Sequence, residues 1–462
     1  MQLIRALTVR ERKTVTIKRG GRMRTKETDK SLEPADRDVL DAATDIYDTF
    51  FTAETTYNEP VQGSEGQKMA AYVDWYRNLE DSGALTKISH SYIDPKPGTA
   101  NGFLLKQPLP SKRTAIVVHG AWSHHRNVGP WVMAFYNMGF NVFTPDLRGH
   151  GSNIIPEVPL TQQDRNMGIY DSRDLISWID KIKEITSTDQ EIVLHGYSLG
   201  ASTSLQATLY TGLLPNNALA IVEDCGYADL GASILYEIKQ NHPDVDALSV
   251  FAQVDTMLYE RQAARMADGL SMSDLKDGML PLLVIHGTND AGLASSTDII
   301  YKTYGGSPKD RLEVQGAGHA ESIAYGFYTY REQIRHLLGQ AKVMPCELVF
   351  DADPSKELEP FPQFPGRLSA KVTVGRGDTL PTSMTFKIVD DDKTGVSFSG
   401  GRTEGTVRIS PTGIATLPIL SFTKATGRFS IVASVVILRQ LGFGQPLQIV
   451  VNEICMFSTP TS

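Results

Sequence analysis

The run Glu191-Ile192-Val193-Leu194-His195 leads straight into Gly196-Tyr197-Ser198-Leu199-Gly200, and a stretch of helix formers, Ala201 to Tyr210, follows at once. A short Val/Ile-rich run reads as a buried strand, so Ser198 stands on a strand-to-helix turn that lifts its hydroxyl above a sheet. The glycines on either side fit that turn, because a Cβ there would collide with neighbouring backbone. Ser198 is therefore the candidate nucleophile, and the strand–turn–helix order selects an α/β fold.

Outward from this turn the same grammar repeats. Ala115 to Val118, Asn141 to Thr144, Ala218 to Val222 and Leu282 to Ile285 are short apolar runs bounded by Gly, Pro, Asp or His. Between them, Leu175, Ile176, Ile179, Ile182 and Ile185 recur at helical spacing, as do Phe327, Tyr330, Ile334 and Leu337. Such alternation, from about Lys112 to Leu338, predicts a mostly parallel sheet covered by helices, within a domain set at residues 38–343. Residues 228–278 lack strand signals and carry an Asn-His-Pro-Asp break at Asn241 to Asp244, so they read as a helical cap inserted over the site. Asp38 to Leu79 reads as a helical N-terminal extension.

A serine hydroxyl needs a base to remove its proton and an acid to hold that base in the right tautomer. His319, in the small-residue loop Gln315-Gly316-Ala317-Gly318-His319 before the terminal helix, is the candidate base. Asp290, in His286-Gly287-Thr288-Asn289-Asp290, is the candidate acid, which gives the chain order Ser, Asp, His. Asp224, at the end of the preceding strand, competes with it. The oxyanion donors are assigned to the backbone N–H groups of Leu199 and of Ala121 in His119-Gly120-Ala121-Trp122. His119, His195 and His286 each end a strand before a glycine and read as structural imidazoles bonding nearby backbone, while His124 and His125 stay open as pocket liners. His336 reads as a helix-face residue. Asp146-Leu147-Arg148-Gly149-His150-Gly151-Ser152 lacks the Lys and glycine spacing of a phosphate loop and reads as a structural loop beside the site. No cofactor is implied.

With these residues in view, the chain from about Asn101 to Leu338 resembles the bacterial α/β-hydrolases grouped with serine aminopeptidase-like and cinnamoyl-esterase-like proteins. Val222-Glu223-Asp224-Cys225-Gly226-Tyr227 and Gly318-His319-Ala320-Glu321-Ser322 add to the likeness, whereas Ala291-Gly292-Leu293-Ala294 departs from the Val-Pro that such relatives carry after the acid. The resemblance implies hydrolysis of a small-molecule carboxylic ester through an acyl-enzyme. Amide or peptide hydrolysis is open to the same triad. A binding or adhesion protein on a relic hydrolase fold is the rival from another class, and the intact triad and elbow glycines weigh against it.

After Val343 the pattern changes. Residues 344–366 hold Pro354, Pro360, Pro362 and Pro365 and read as a stiff linker. From residue 367 to 462 the apolar period becomes two, which predicts an all-β sandwich. Gly405-Thr406-Val407, Pro411-Thr412-Gly413-Ile414-Ala415-Thr416 and Gly427 to Ser434 resemble bacterial immunoglobulin-like domains, which implies a hold on a polymer, a cell surface or a second copy. Residues 1–37 are basic, without amphipathic period, and read as a disordered tail. A net charge of −8 argues against nucleic acid as a partner. No apolar run reaches the length of a membrane span and no secretion signal is recognisable, which points to the cytoplasm. Three cysteines show neither a disulfide framework nor metal spacing; Cys225 reads as core, and Cys346 and Cys455 could pair only in an oxidising compartment.

Overall fold

The computed structural model describes residues 12–19, 22–29, 34–53, 63–92, 98–107, 111–186, 190–210, 218–340, 347–351, 369–373, 380–389, 395–398, 400–417, 420–421, 426–437 and 447–458. Its centre is an eight-stranded sheet of β1 (Thr86–Tyr92), β2 (Gly98–Leu105), β3 (Arg113–Val118), β4 (Asn141–Pro145), β5 (Glu191–Tyr197), β6 (Ala218–Asp224), β7 (Leu282–Gly287) and β8 (Lys309–Val314). The order across the sheet is β8-β7-β6-β5-β3-β4-β2-β1. Neighbours from β8 to β4 run parallel, and β2 is antiparallel to both β4 and β1. The five strands read from the sequence are thus the inner ones, buried on both faces as near-continuous apolar runs must be.

Helices cover both faces. On one, Trp131 and Phe135 of α3 (Gly129–Asn137) and Tyr330, Ile334 and Leu337 of α10 (Phe327–Gln340) share a core with Val117, Val193, Val222 and Ile285. On the other, Trp178 of α4 (Asp171–Ile185) packs on Phe143 of β4, ring centroids 4.8 Å apart. Helix α2 (Gly63–Asp81) precedes the sheet, and α5 (Leu199–Leu209) follows β5 directly. The short α8 (Ala294–Thr303) and α9 (Ser322–Tyr325) follow β7 and β8.

Between β6 and β7 the chain leaves the sheet. The helices α6 (Leu230–Asn241) and α7 (Ala247–Gln262) stop and restart around the Asn-His-Pro-Asp break, and Asp246 caps α7 by accepting from the Ser249 N–H at 2.9 Å. Residues 231–268 form a compact unit with the described residues up to Thr52. Within it the Nε2–H of Gln262 donates to the Tyr47 hydroxyl of α1 (Pro34–Phe51) at 3.1 Å, and α7 buries Val250, Val254 and Leu258, three residues one helical turn apart. The first helix therefore belongs with the insertion rather than with α2. In the basic segment, Arg12–Arg19 and Arg22–Asp29 pair as an antiparallel hairpin where the sequence reading expects a disordered tail.

In the C-terminal region every pair of described strands is antiparallel. Strands β9 (Glu347–Asp351), β10 (Ser369–Thr373) and β14 (Ile414–Thr416) make one sheet, in the order β9-β10-β14. A second sheet joins β11 (Ser383–Val389), β13 (Glu404–Arg408), β16 (Thr426–Ile437) and β17 (Leu447–Ser458), in the order β13-β11-β16-β17. A two-residue pair, β12 (Ser397–Phe398) with β15 (Leu420–Ser421), completes the set. Ala370, Val372 and Ala415 of the first sheet pack against Met384, Phe386, Ile388 and Ile431 of the second, so the period-two residues share one core. β17 runs beside α3. Strand β9 lies inside the segment read as linker, and the proline-rich remainder, 352–366, lies outside the described residues, as does Cys346. Among the described residues no helix is long and apolar enough to cross a membrane.

Candidate active site

β5 ends at Tyr197 and α5 begins at Leu199, which leaves Ser198 alone on the turn with φ 53° and ψ −124°. A side chain at positive φ is strained, and strain of this kind survives only where the surroundings over-determine it. Here they do. Ser198 N–H donates to Asp224 O at 2.8 Å, tying the turn to β6. A Cβ on Gly196 would fall 2.2 Å from Gly200 C, and one on Gly200 would fall 2.2 Å from Val118 O, so only glycines let β3, β5 and α5 close up.

His319 and Asp290 reach this serine from two loops laced to each other. Thr288 N–H donates to Val314 O at 3.0 Å and Asn289 N–H to Ala317 O at 2.9 Å, so the loop after β7 is bound to the loop after β8. Across them His319 Nδ1 meets Asp290 Oδ2 at 2.8 Å, and His319 Nε2 meets Ser198 Oγ at 2.9 Å. The Asp290 side chain is buried while that of His319 is 44 % exposed, which leaves the imidazole open to solvent and the carboxylate shielded from it. The loop 119–125 lies over the serine: a Cβ on Gly120 would sit 3.1 Å from Ser198 Cβ. Ala121 follows that glycine, and Leu199 opens α5 beside Ser198. Trp122, Ser198, Cys225 and Ala320 all have positive φ, which puts left-handed backbone beside each element of the site.

Asp224 is engaged elsewhere. Its Oδ2 accepts the Tyr330 hydroxyl at 3.0 Å, and burial pushes its carboxyl up to about 6 against the pull of that bond. Tyr330 in turn meets His195 Nε2 at 2.7 Å, so His195 bonds a side chain and not the backbone expected of it. Burial holds His195 down at about 3, a neutral imidazole. His119 does bond backbone, with Nδ1 at 2.8 Å from Gly120 O and Nε2 accepting from Leu147 N–H at 3.0 Å.

Two features escaped sequence reading. Cys225 is fully buried, as expected of core, yet its sulfur, an Asp290 oxygen and a His319 nitrogen lie within 4.8 Å of one another. Such a trio could ligate a metal, but the Asp290–His319 hydrogen bond already uses that pair, and burial pushes the thiol well up, towards its neutral form. The second is His125, read as a pocket liner. It is buried, with Nδ1 2.8 Å from Asp146 Oδ2 and Nε2 3.2 Å from Glu80 Oε1. The acidic helix end that supplies Glu80 gave no signal pointing at a histidine 45 residues on.

Residues 115–326 match the alpha/beta hydrolase family. The uncharacterized protein YqkD of Bacillus subtilis (strain 168) is 26% identical over 235 residues, covering 50% of this chain and 72% of that protein. Among solved structures, the Pyrococcus furiosus esterase Pf2001 is 15% identical, with TM-score 0.42 over 56% of this chain and 94% of its own. A thermophilic esterase from Thermogutta terrifontis is 18% identical, with TM-score 0.38 over 55% of this chain and 98% of its own.

Proposed function

We propose that the chain is a serine esterase of the alpha/beta hydrolase family whose model matches residues 115–326, in which Ser198, His319 and Asp290 act as nucleophile, base and orienting acid. The observation that carries this reading is the continuous chain of hydrogen bonds from Ser198 Oγ through His319 to Asp290 Oδ2. His319 Nε2 takes the serine proton as Oγ attacks the ester carbonyl, then returns it to the leaving alcohol. Asp290 holds Nδ1–H, which fixes the tautomer and steadies the imidazolium. Negative charge on the carbonyl oxygen is met by the N–H groups of Ala121 and Leu199; one such donor is worth on the order of 3 kcal/mol of transition-state stabilisation. Water then releases the acyl group by the same steps.

The C-terminal sheets fit an immunoglobulin-like module that would keep the enzyme near a polymer, a surface or a second copy. A panel of p-nitrophenyl esters of increasing acyl length, aryl esters and aminoacyl amides tests the activity, with Ser198→Ala as control. Ester turnover and fluorophosphonate labelling that both vanish in Ser198→Ala support the reading. Turnover of amides alone would make the chain a peptidase, and label on another serine would refute the site.

A further inference from the structure

The loop 119–125, which carries Ala121, is held at three points. At its start, His119 donates Nδ1–H to Gly120 O and accepts from Leu147 N–H, as described above. In its middle, Ser123 Oγ accepts from the hydroxyl of Tyr197, the residue before the nucleophile, at 2.8 Å, and the Tyr197 ring is itself stacked on Trp131 with centroids 4.2 Å apart. At its end stands His125. Its backbone N–H donates to Asp146 Oδ1 at 2.7 Å and its Nδ1–H to Asp146 Oδ2 at 2.8 Å, so one carboxylate grips both the main chain and the ring. Asp146 Oδ2 also accepts from Ser152 N–H at 2.8 Å and Ser152 Oγ at 2.7 Å. The positive φ of Gly151, 49°, lets the backbone pass this close, since a Cβ there would fall 2.5 Å from Asp146 Oδ2.

The far side of the His125 ring is equally occupied. Nε2 faces Glu80 of α2 at 3.2 Å, and Phe103 of β2 stacks on the ring with centroids 3.8 Å apart. Glu80 Oε2 and Asp81 Oδ1 hold Arg126 at 3.3 and 2.9 Å. Burial alone would make His125 easier to deprotonate, but Asp146 and Glu80 outweigh it and push the imidazolium up to about 9. The same pairing holds the Asp146 carboxyl far below its usual range in spite of burial.

Buried ion pairs are a poor route to stability, because desolvation consumes most of their attraction and an apolar pair of similar volume often does as well. What this one supplies is direction. The Asp146-Leu147 segment grips both ends of a seven-residue loop, and Tyr197 ties its middle to the residue next to Ser198.

We propose that Glu80, His125 and Asp146 form a positioning clamp that sets where the Ala121 N–H points relative to Ser198, so that His125 and Glu80 govern transition-state stabilisation without touching substrate. This rests on the esterase reading and on Ala121 as an oxyanion donor.

The test uses the full chain, p-nitrophenyl butyrate, and the variants His125→Gln and Glu80→Gln. A displaced donor should lower kcat on the order of 100-fold in His125→Gln with KM little changed, since a ground-state ester makes little use of the hole. Glu80→Gln removes only the outer arm, keeps the Asp146–His125 bond, and should lower kcat several-fold with the same unchanged KM. If His125→Gln fails to fold, Glu80→Gln decides. Folded variants with wild-type kcat, or with KM raised and kcat intact, overturn the clamp. Should the wild type take no fluorophosphonate at Ser198, the esterase reading falls and the clamp with it; a reactive wild type beside unaffected variants removes the clamp alone.

Discussion

Tyr330 donates its hydroxyl proton to Oδ2 of Asp224 at 3.0 Å, and this bond separates two carboxylates that sequence leaves in competition. Asp224 sits at the end of β6, one strand from Asp290, yet its side chain points to a helix-borne phenol while Asp290 faces His319. Asp290→Asn should therefore lower kcat by orders of magnitude through the wrong imidazole tautomer. Asp224→Asn should cost much less. Steady-state kinetics on both variants check this, and the reverse ranking would exchange the two roles.

Gly200→Ala should impair both stability and the reactivity of Ser198, although it removes no reactive atom. The new Cβ would press into Val118 O, and backbone cannot yield as a side chain tip can. Overpacking of this kind costs roughly 1–3 kcal/mol or more. The expected result is a lower thermal midpoint together with slow fluorophosphonate labelling; a variant that labels at the wild-type rate would mean the turn is looser than its contacts imply.

Stability should depend on pH through His125. Its folded value of about 9 lies above the ordinary 6.5, so the folded state holds the proton more tightly. That contribution is complete below pH 6.5 and is lost as pH rises towards 9, amounting to something on the order of 3 kcal/mol. The groups facing it are Asp146, Glu80, Arg126, His119 and His124, of which His119 and His124 are held neutral by burial. Denaturant midpoints measured from pH 6 to 9.5 should fall in the wild type, and His125→Gln should flatten that slope.

Strands β3 to β7 were legible because each is a short apolar run ended by a turn residue, and the elbow because only glycines permit it. His319 and Asp290 followed from their loops. By contrast, the edge strand β1 mixes Thr, Lys, Ser and His, its neighbour β2 opens on Gly, Thr and Asn before its apolar end, and β8, Lys309–Val314, is largely charged; pairing partners, not composition, make them strands. The clamp was invisible for a related reason. Glu80, His125 and Asp146 belong to α2, a loop and the end of β4, and no spacing rule joins residues that meet only once the sheet is assembled.

A stop after Val343 should leave kcat nearly unchanged. The C-terminal core of Ala370, Val372, Phe386 and Ile431 shares no residue with the core around Trp131 and Tyr330. Since β17 runs beside α3, the shortened chain should unfold at a lower temperature. Comparing kcat, monodispersity and melting of residues 1–343 with the full chain tests both halves of this expectation; an inactive fragment would make the sheets part of the catalytic unit.

Trp122, Ser198, Cys225 and Ala320 all hold left-handed backbone, each costing roughly 1–3 kcal/mol that the rest of the fold must offset. Any programme that selects this chain for heat resistance will meet these positions early, because glycine at Trp122, Cys225 or Ala320 relieves strain. The same glycines would let the loops around Ser198 wander, so variants chosen for survival alone should drift towards a sturdier and slower protein.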